Sequence, residues 1–130
     1  MNFRLKTTVE TAELLKGLQN STGLTPNILA RLAISLSVLI PEEPELVSSD
    51  SKGLEFNRNT LTGDRDYFYK AIIRQNAVRE IHEDEYFPTM FNAHLSRGTK
   101  LLNEEYKHSG NYDKLLKNLL KLAEENIKGA

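Results

Sequence analysis

Cysteine is missing altogether from these 130 residues. Its absence excludes a disulfide framework, a thiolate nucleophile and any cysteine-ligated metal site. Long apolar runs are missing too, since none approaches the roughly eighteen residues that span a bilayer. The opening Met1-Asn2-Phe3-Arg4 begins no secretory signal, because charges interrupt the apolar positions that follow. The expected setting is the cytoplasm, with no membrane partner. A large charge of either sign is also lacking: 17 Lys and Arg against 18 Asp and Glu leave a formal charge of −1. That excludes a protein that holds nucleic acid by bulk positive charge.

What is present is charge in blocks. By segment, residues 1–41 carry a net +2, 42–57 carry −4, 58–79 carry +3, 80–93 carry −4 and 94–130 carry +2. Basic patches therefore remain possible within a nearly neutral chain. The length suits a single domain, 1–130, with one sizeable core.

Only four prolines occur, and they punctuate a mostly helical pattern. Residues 2–6 alternate polar and apolar, the period of a short half-buried strand. Thr7-x-x-Glu10 reads as a capping box that starts a helix at Thr8, and Gly23 suits the turn after it. Thr25-Pro26 reads as cap and first position of a second helix. Its apolar positions Ile28, Leu29, Leu32, Ala33, Leu36 and Leu39 recur at helical spacing until Pro41. Residues 41–57 read as an acidic, turn-rich loop, and 57–64 as a second turn cluster.

From Asp66 the helical period returns, with Phe68, Ala71, Ile72, Val78 and Ile81 on a broad inward face. Glu83-Asp84-Glu85 interrupts it and Pro88 opens the next helix, where Met90, Phe91, Leu95, Leu101 and Leu102 face inward. A turn at Ser109-Gly110-Asn111 precedes a last helix, Tyr112 to about Ile127, with Leu115, Leu116, Leu119, Leu122 and Ala123 as its stripe. The fold class is mainly α: a compact, single-domain helical protein with a short N-terminal strand, partly ribbon-helix-helix-like.

The ribbon-helix-helix likeness rests on the strand–helix–turn–helix order of residues 2–40. In that arrangement a strand pair enters the DNA major groove and a helix N-terminus, here near Asn27, holds a phosphate. The polar strand face is Asn2, Arg4 and Lys6, which equally suits a strand showing polar residues to water. Lys16 adds a cation on the first helix. On the last helix Lys114, Lys117, Lys121 and Lys128 form a line nearly opposite the leucines. Such a line can follow a phosphate backbone or be a solvated face. Arg58 and Arg65 bracket Asn59, Thr60, Thr62 and Gly63, a composition suited to phosphate contacts, or to pairing with Asp64 and Asp66. Lys70, Arg74 and Arg79 read more simply as helix-surface pairing partners.

Catalytic signatures are scarce. His82 lies beside three acidic residues, but consecutive positions do not converge on one metal. His94 falls next to the Phe91–Leu95 face, where a hydrogen-bonded, partly buried histidine is expected. His108 lies near a turn. There is no P-loop, dinucleotide fingerprint, nucleophile elbow or HExxH spacing. No catalytic residue, metal site or cofactor is assigned.

Three stretches carry a family resemblance: Thr22-Gly23-Leu24-Thr25-Pro26-Asn27, Glu55-Phe56-Asn57-Arg58-Asn59-Thr60-Leu61-Thr62-Gly63 and His94-Leu95-Ser96-Arg97-Gly98. Over about residues 3–105 the chain resembles the DndE family of bacterial DNA phosphorothioate modification. The resemblance implies a part in replacing a non-bridging phosphate oxygen of DNA with sulfur. It also implies DNA binding that includes nicked duplex, a complex with the other modification subunits, and a homotetramer. Sulfur mobilisation in that system is assigned to a cysteine desulfurase and an iron–sulfur partner, which agrees with a chain without cysteine.

The expectation is a non-catalytic DNA-binding and assembly subunit, with Arg4, Lys6, Lys16, Arg58, Arg65, Lys114, Lys117, Lys121 and Lys128 as candidate contacts. Gly23, Thr25 and Gly98 are expected to serve turns and packing. Two alternatives stay open. One is an adaptor that docks basic partners on the acidic loop 42–57, with Glu42, Glu43 and Glu45, and on the surface of residues 80–93; the other is a DNA-nicking enzyme, for which His82, His94 and nearby carboxylates assemble no nucleophile or metal site.

Overall fold

The computed structural model of the chain describes residues 3–47 and 52–128. Strand β1 (Arg4–Lys6) leads into α1 (Val9–Thr22) and α2 (Pro26–Ser37). After a loop come β2 (Glu55–Asn57), the one-turn α3 (Arg58–Leu61), a 3-10 turn (Gly63–Arg65) and α4 (Asp66–Ala77). A wide π-type turn (Glu85–Met90) then opens the long α5 (Phe91–Ser109), and α6 (Tyr112–Lys128) follows. No helix among the described residues is long and apolar enough to cross a membrane.

The strand–helix–turn–helix order of the N-terminal third is the one its residues suggest, but the strand's partner is not. β1 pairs antiparallel with β2 of the same chain, Arg4 opposite Asn57, Leu5 opposite Phe56 and Lys6 opposite Glu55. The pairing turns Leu5 and Phe56 into the core and leaves Arg4, Lys6, Glu55 and Asn57 outside. On its other edge, the Lys6 carbonyl accepts a hydrogen bond from Asn92 Nδ2 at 3.0 Å. Both edges of β1 are thus engaged within one molecule, which leaves little backbone for strand pairing between two copies. Asn2 lies outside the described residues.

The helix caps explain where the chain turns. Thr8, one residue later than the capping box suggests, accepts the Thr11 N–H at 3.2 Å and starts α1. Thr7 serves the sheet instead: its Oγ1 accepts the Leu54 N–H at 2.9 Å. Gly23 closes α1 in the left-handed region, φ 78°, where a Cβ is unfavourable. Thr25 caps α2, with Pro26 in its first turn, where a missing N–H costs nothing.

The core sits where α5 crosses α2. Leu29, Ala30, Ala33 and Ile34 of α2 are fully buried against α5, whose Phe91, Leu95 and Leu102 are fully buried too. The two backbones meet closely at Gly98, where a Cβ would collide with the Ala33 carbonyl. Tyr69, Tyr86, Phe87 and Phe91 form a linked aromatic cluster, with ring centroids 5.4 to 6.2 Å apart along its contacts.

In α4 the inward face differs from the one its periodicity suggests. Tyr69 and Ile73, one turn apart, point into the core, while Phe68 is about half exposed and Val78 is almost fully exposed. The helix ends at Ala77, and Val78 caps it in the left-handed region, φ 58°, a strained place for a β-branched residue. The inner stripe of α6 is shared unevenly: Leu115 is buried, whereas Leu116 is 38% and Leu120 66% exposed.

Candidate nucleic-acid interface

The sequence treats Arg58 and Arg65 as a matched pair, and the fold separates them. Arg58 begins α3 directly after β2, whose pairing fixes its backbone: the Arg58 N–H donates to the Phe3 carbonyl at 2.7 Å. Its guanidinium turns inward. Nε donates to Asp66 Oδ1 at 3.0 Å, and Nη2 contacts Asp66 Oδ2 and Glu83 Oε1, each at 2.6 Å. It also lies over the rings of Tyr86 and Phe87, 5.2 and 4.9 Å from their centroids. Around it, Asp66 accepts from Thr62 Oγ1 (2.8 Å) and Tyr86 OH (3.0 Å), and Lys70 Nζ donates to Glu83 at 3.0 Å.

Charge partners hold Arg58, Asp66 and Glu83 in their ionised, paired states. The Asp66 hydrogen bond keeps the Arg58 pKa raised. Burial alone pushes the Asp66 carboxyl up, but the bonds from Arg58 and Thr62 outweigh it and hold it below its usual range. The Lys70 bond, with Arg58, lowers that of Glu83. Burial, and then the Asp66 charge, pushes the Tyr86 hydroxyl up. Arg58, 6% exposed, is therefore a structural cation and offers no surface for a phosphate. Its guanidinium is thus turned away from the surface where the sequence places a DNA contact.

The other arginines divide by whether their charge is spent. Arg4 pairs with Glu55 at 3.6 Å, Arg74 with Glu80, and Arg79 with both Glu43 and Glu85. Arg97 donates to the Ser37 and Glu42 carbonyls (2.8 Å each) and to Ser37 Oγ (2.9 Å). Among the described residues, Arg31 and Arg65 have no carboxylate within salt-bridge distance. Arg31 hydrogen-bonds only carbonyls, those of Leu61 (3.1 Å) and Thr60 (3.4 Å) at the end of α3.

These two arginines line one groove of about 580 Å³. Ile28, Arg31, Leu32 and Ser35, consecutive on one face of α2, form one wall, and Thr62, Asp64, Arg65 and Tyr69 form the other. Burial raises the Tyr69 hydroxyl pKa, and the charges of Arg31 and Arg65 pull against that rise. The site was only half legible: Arg65 stands out by composition, whereas Ile28 and Leu32 read as core and Arg31 is the lone charge of α2. That isolation on an otherwise uncharged helix was the available signal.

The remaining candidates lie on separate elements. Lys6 is exposed on β1, Lys16 on α1, and Lys114, Lys117 and Lys121 on α6, none with an ion pair among the described residues. The side chain of Lys128 lies outside the described residues. Gly98 and Thr25 sit at the helix crossing and the α2 cap, away from this set of cations.

Of the three histidines, His82 and His108 are exposed and His94 is buried. His94 is fully buried; its Nδ1 lies 2.8 Å from Ser37 Oγ, whose acceptor side already takes Arg97 Nε. Ser37 Oγ thus links Arg97 to His94, whose imidazole is neutral. Burial, followed by the Arg97 charge, lowers its pKa to about 4. Ser37 is itself fully buried, so no substrate reaches its oxygen. His82 is exposed, and no three of His, Asp or Glu among the described residues are grouped to hold a metal ion.

Comparison with known proteins places this geometry. The family model of the DNA sulphur modification protein DndE matches residues 4–110. Among solved structures, the chain is similar to DndE from Escherichia coli B7A, a protein involved in DNA phosphorothioation modification. The two share 25% identity and a TM-score of 0.57, over 76% of this chain and 96% of that one. A search of curated proteins returns no match. The family match ends at residue 110, before α6 begins.

Proposed function

Because the chain belongs to the DndE family of DNA sulphur modification proteins, we propose that it is the non-catalytic subunit that holds DNA by its backbone. In this reading it works in the cytoplasm as a homotetramer, on intact or nicked duplex, while partner subunits activate the phosphate and deliver the sulfur. The observation that carries the reading is the pair of guanidiniums, Arg31 and Arg65, that line one groove and have no carboxylate within salt-bridge distance among the described residues. Arginine forks suit phosphate oxygens, and unpaired ones give up no existing bridge to bind.

The unpaired Lys6, Lys16, Lys114, Lys117 and Lys121 supply further backbone contacts without sequence preference. A chain with a formal charge of −1 has little long-range attraction for DNA. Assembly compensates, because each copy adds its own groove and lysines at high effective concentration.

Fluorescence anisotropy of intact and nicked duplexes over a series of salt concentrations tests this reading. Affinity falls steeply, log K decreasing linearly with log salt, if phosphate contacts dominate. Salt-independent binding, or no binding by the assembled modification complex, overturns it.

A further inference from the structure

We propose that the groove between α2 and the Gly63–Arg65 turn reads the product of the modification. It seats a phosphorothioate diester of DNA with the remaining oxygen toward Arg31 and Arg65, and the sulfur toward Ile28 and Leu32. This rests on the reading of the chain as a DNA-holding subunit and adds which backbone chemistry it prefers.

The groove joins two surfaces that a plain phosphate does not need together. One is cationic: Arg31 and Arg65 have no carboxylate partner among the described residues, and each can donate to an anionic oxygen. The other is aliphatic: Ile28 stays 38% exposed and Leu32 is half-buried in the same lining. Two of the three lining hydroxyls are spent within the protein, and the third, that of Tyr69, belongs to the wall opposite Ile28 and Leu32. Ser35 Oγ donates to the Arg31 carbonyl at 3.0 Å, and Thr62 Oγ1 donates to the Arg58 carbonyl at 3.0 Å and to Asp66. An oxygen pressed against the aliphatic side therefore loses water and gains no donor, which is unfavourable.

Sulfur in that position changes the balance. A phosphorothioate diester keeps the single negative charge, so the arginines still hold it. Its sulfur is larger, more polarisable and a poorer hydrogen-bond acceptor, so it loses less on leaving water and gains more dispersion contact. The volume of about 580 Å³ accommodates a diester with its flanking sugars. Asp64 on the rim repels any second phosphate close by, which favours one seated linkage over a run of them. The groove is chiral, so only one of the two non-bridging positions faces the aliphatic side while the other faces the guanidiniums.

Three duplexes of one sequence test this: all phosphodiester, a single central phosphorothioate in the Rp form, and the same in the Sp form. The full chain is expected to bind one diastereomer roughly tenfold more tightly than the phosphodiester, the lower range of discrimination by one well-fitted apolar group. Ile28→Ser, which replaces the aliphatic wall with a hydroxyl donor, brings the affinity ratio towards one, while Ile28→Val retains most of it. Equal affinity for all three duplexes overturns the proposal and leaves the DNA-holding function standing. A preference that survives Ile28→Ser also overturns it. Binding of none of the three overturns both readings.

Discussion

Arg58 and Arg65 stand seven residues apart in one polar stretch, and their surroundings could hardly differ more. Around Arg58, two carboxylates and two rings consume the guanidinium inside the protein. Around Arg65 there is open groove, a second unpaired arginine and aliphatic surface. The same side chain stabilises the fold in one place and is available to a ligand in the other. The charge itself does not decide which; whether an acid pairs with it does.

The largest expected effect comes from breaking the buried side of this contrast. Arg58→Ala leaves Asp66 and Glu83 without their cation and is expected to cost about 3–5 kcal/mol of stability in urea unfolding. A loss of under 1 kcal/mol would show that the node is ornamental. At temperatures where the variant stays folded, its DNA affinity should match that of the parent, because the guanidinium never reaches the surface.

Acid separates the two regions next. Buried His94 is held neutral with a pKa lowered to about 4, while in the unfolded chain it protonates near 6.5. A base whose folded pKa is depressed gives its full stability above pH 6.5 and loses it as pH falls towards 4, here by about 3 kcal/mol. Below that window the lowered carboxyls of Asp66 and Glu83 add a second loss as they protonate and release Arg58. Unfolding curves at pH 7, 5, 4 and 3 check this, and His94→Gln should flatten the upper part of the profile without touching the lower.

The groove side is expected to respond more gently and in a different observable. Arg65→Ala should leave stability within about 0.5 kcal/mol, as exposed substitutions do. It should weaken duplex binding roughly tenfold and reduce the salt slope by about 1, the mark of one lost phosphate contact. Asp64→Asn, smallest of all, should tighten binding by a few-fold by removing an opposing charge from the same rim. If Arg65→Ala destabilises the chain as much as Arg58→Ala, the division between the two regions is wrong.

Much of the fold is written locally in the chain. Thr25-Pro26, Gly23 and Gly110 mark helix ends through caps and left-handed turns that depend only on near neighbours. The inward positions Phe91, Leu95 and Leu102 follow from helical spacing alone. What escaped is what depends on distant partners. β2 is three residues with one apolar side chain, too short to carry a period, and it exists because β1 lies opposite. Arg58 turns inward because Asp66 and Glu83, 8 and 25 residues later in the numbering, are brought to it by α4 and the turn before α5. The same reasoning hid the groove. Ile28 and Leu32 have core spacing, and only the packed structure shows that this side of α2 is left partly uncovered.

The close approach at Gly98 bears on all of this. With no Cβ between them, the α5 backbone is a hard stop for α2 at Ala33, and α2 carries Ile28, Arg31 and Leu32 on its other side. Residue 98 is thus a gauge block: its missing methyl sets how far the α2 wall stands from Arg65. A single carbon added there would widen or narrow the mouth of the groove without touching any residue in it.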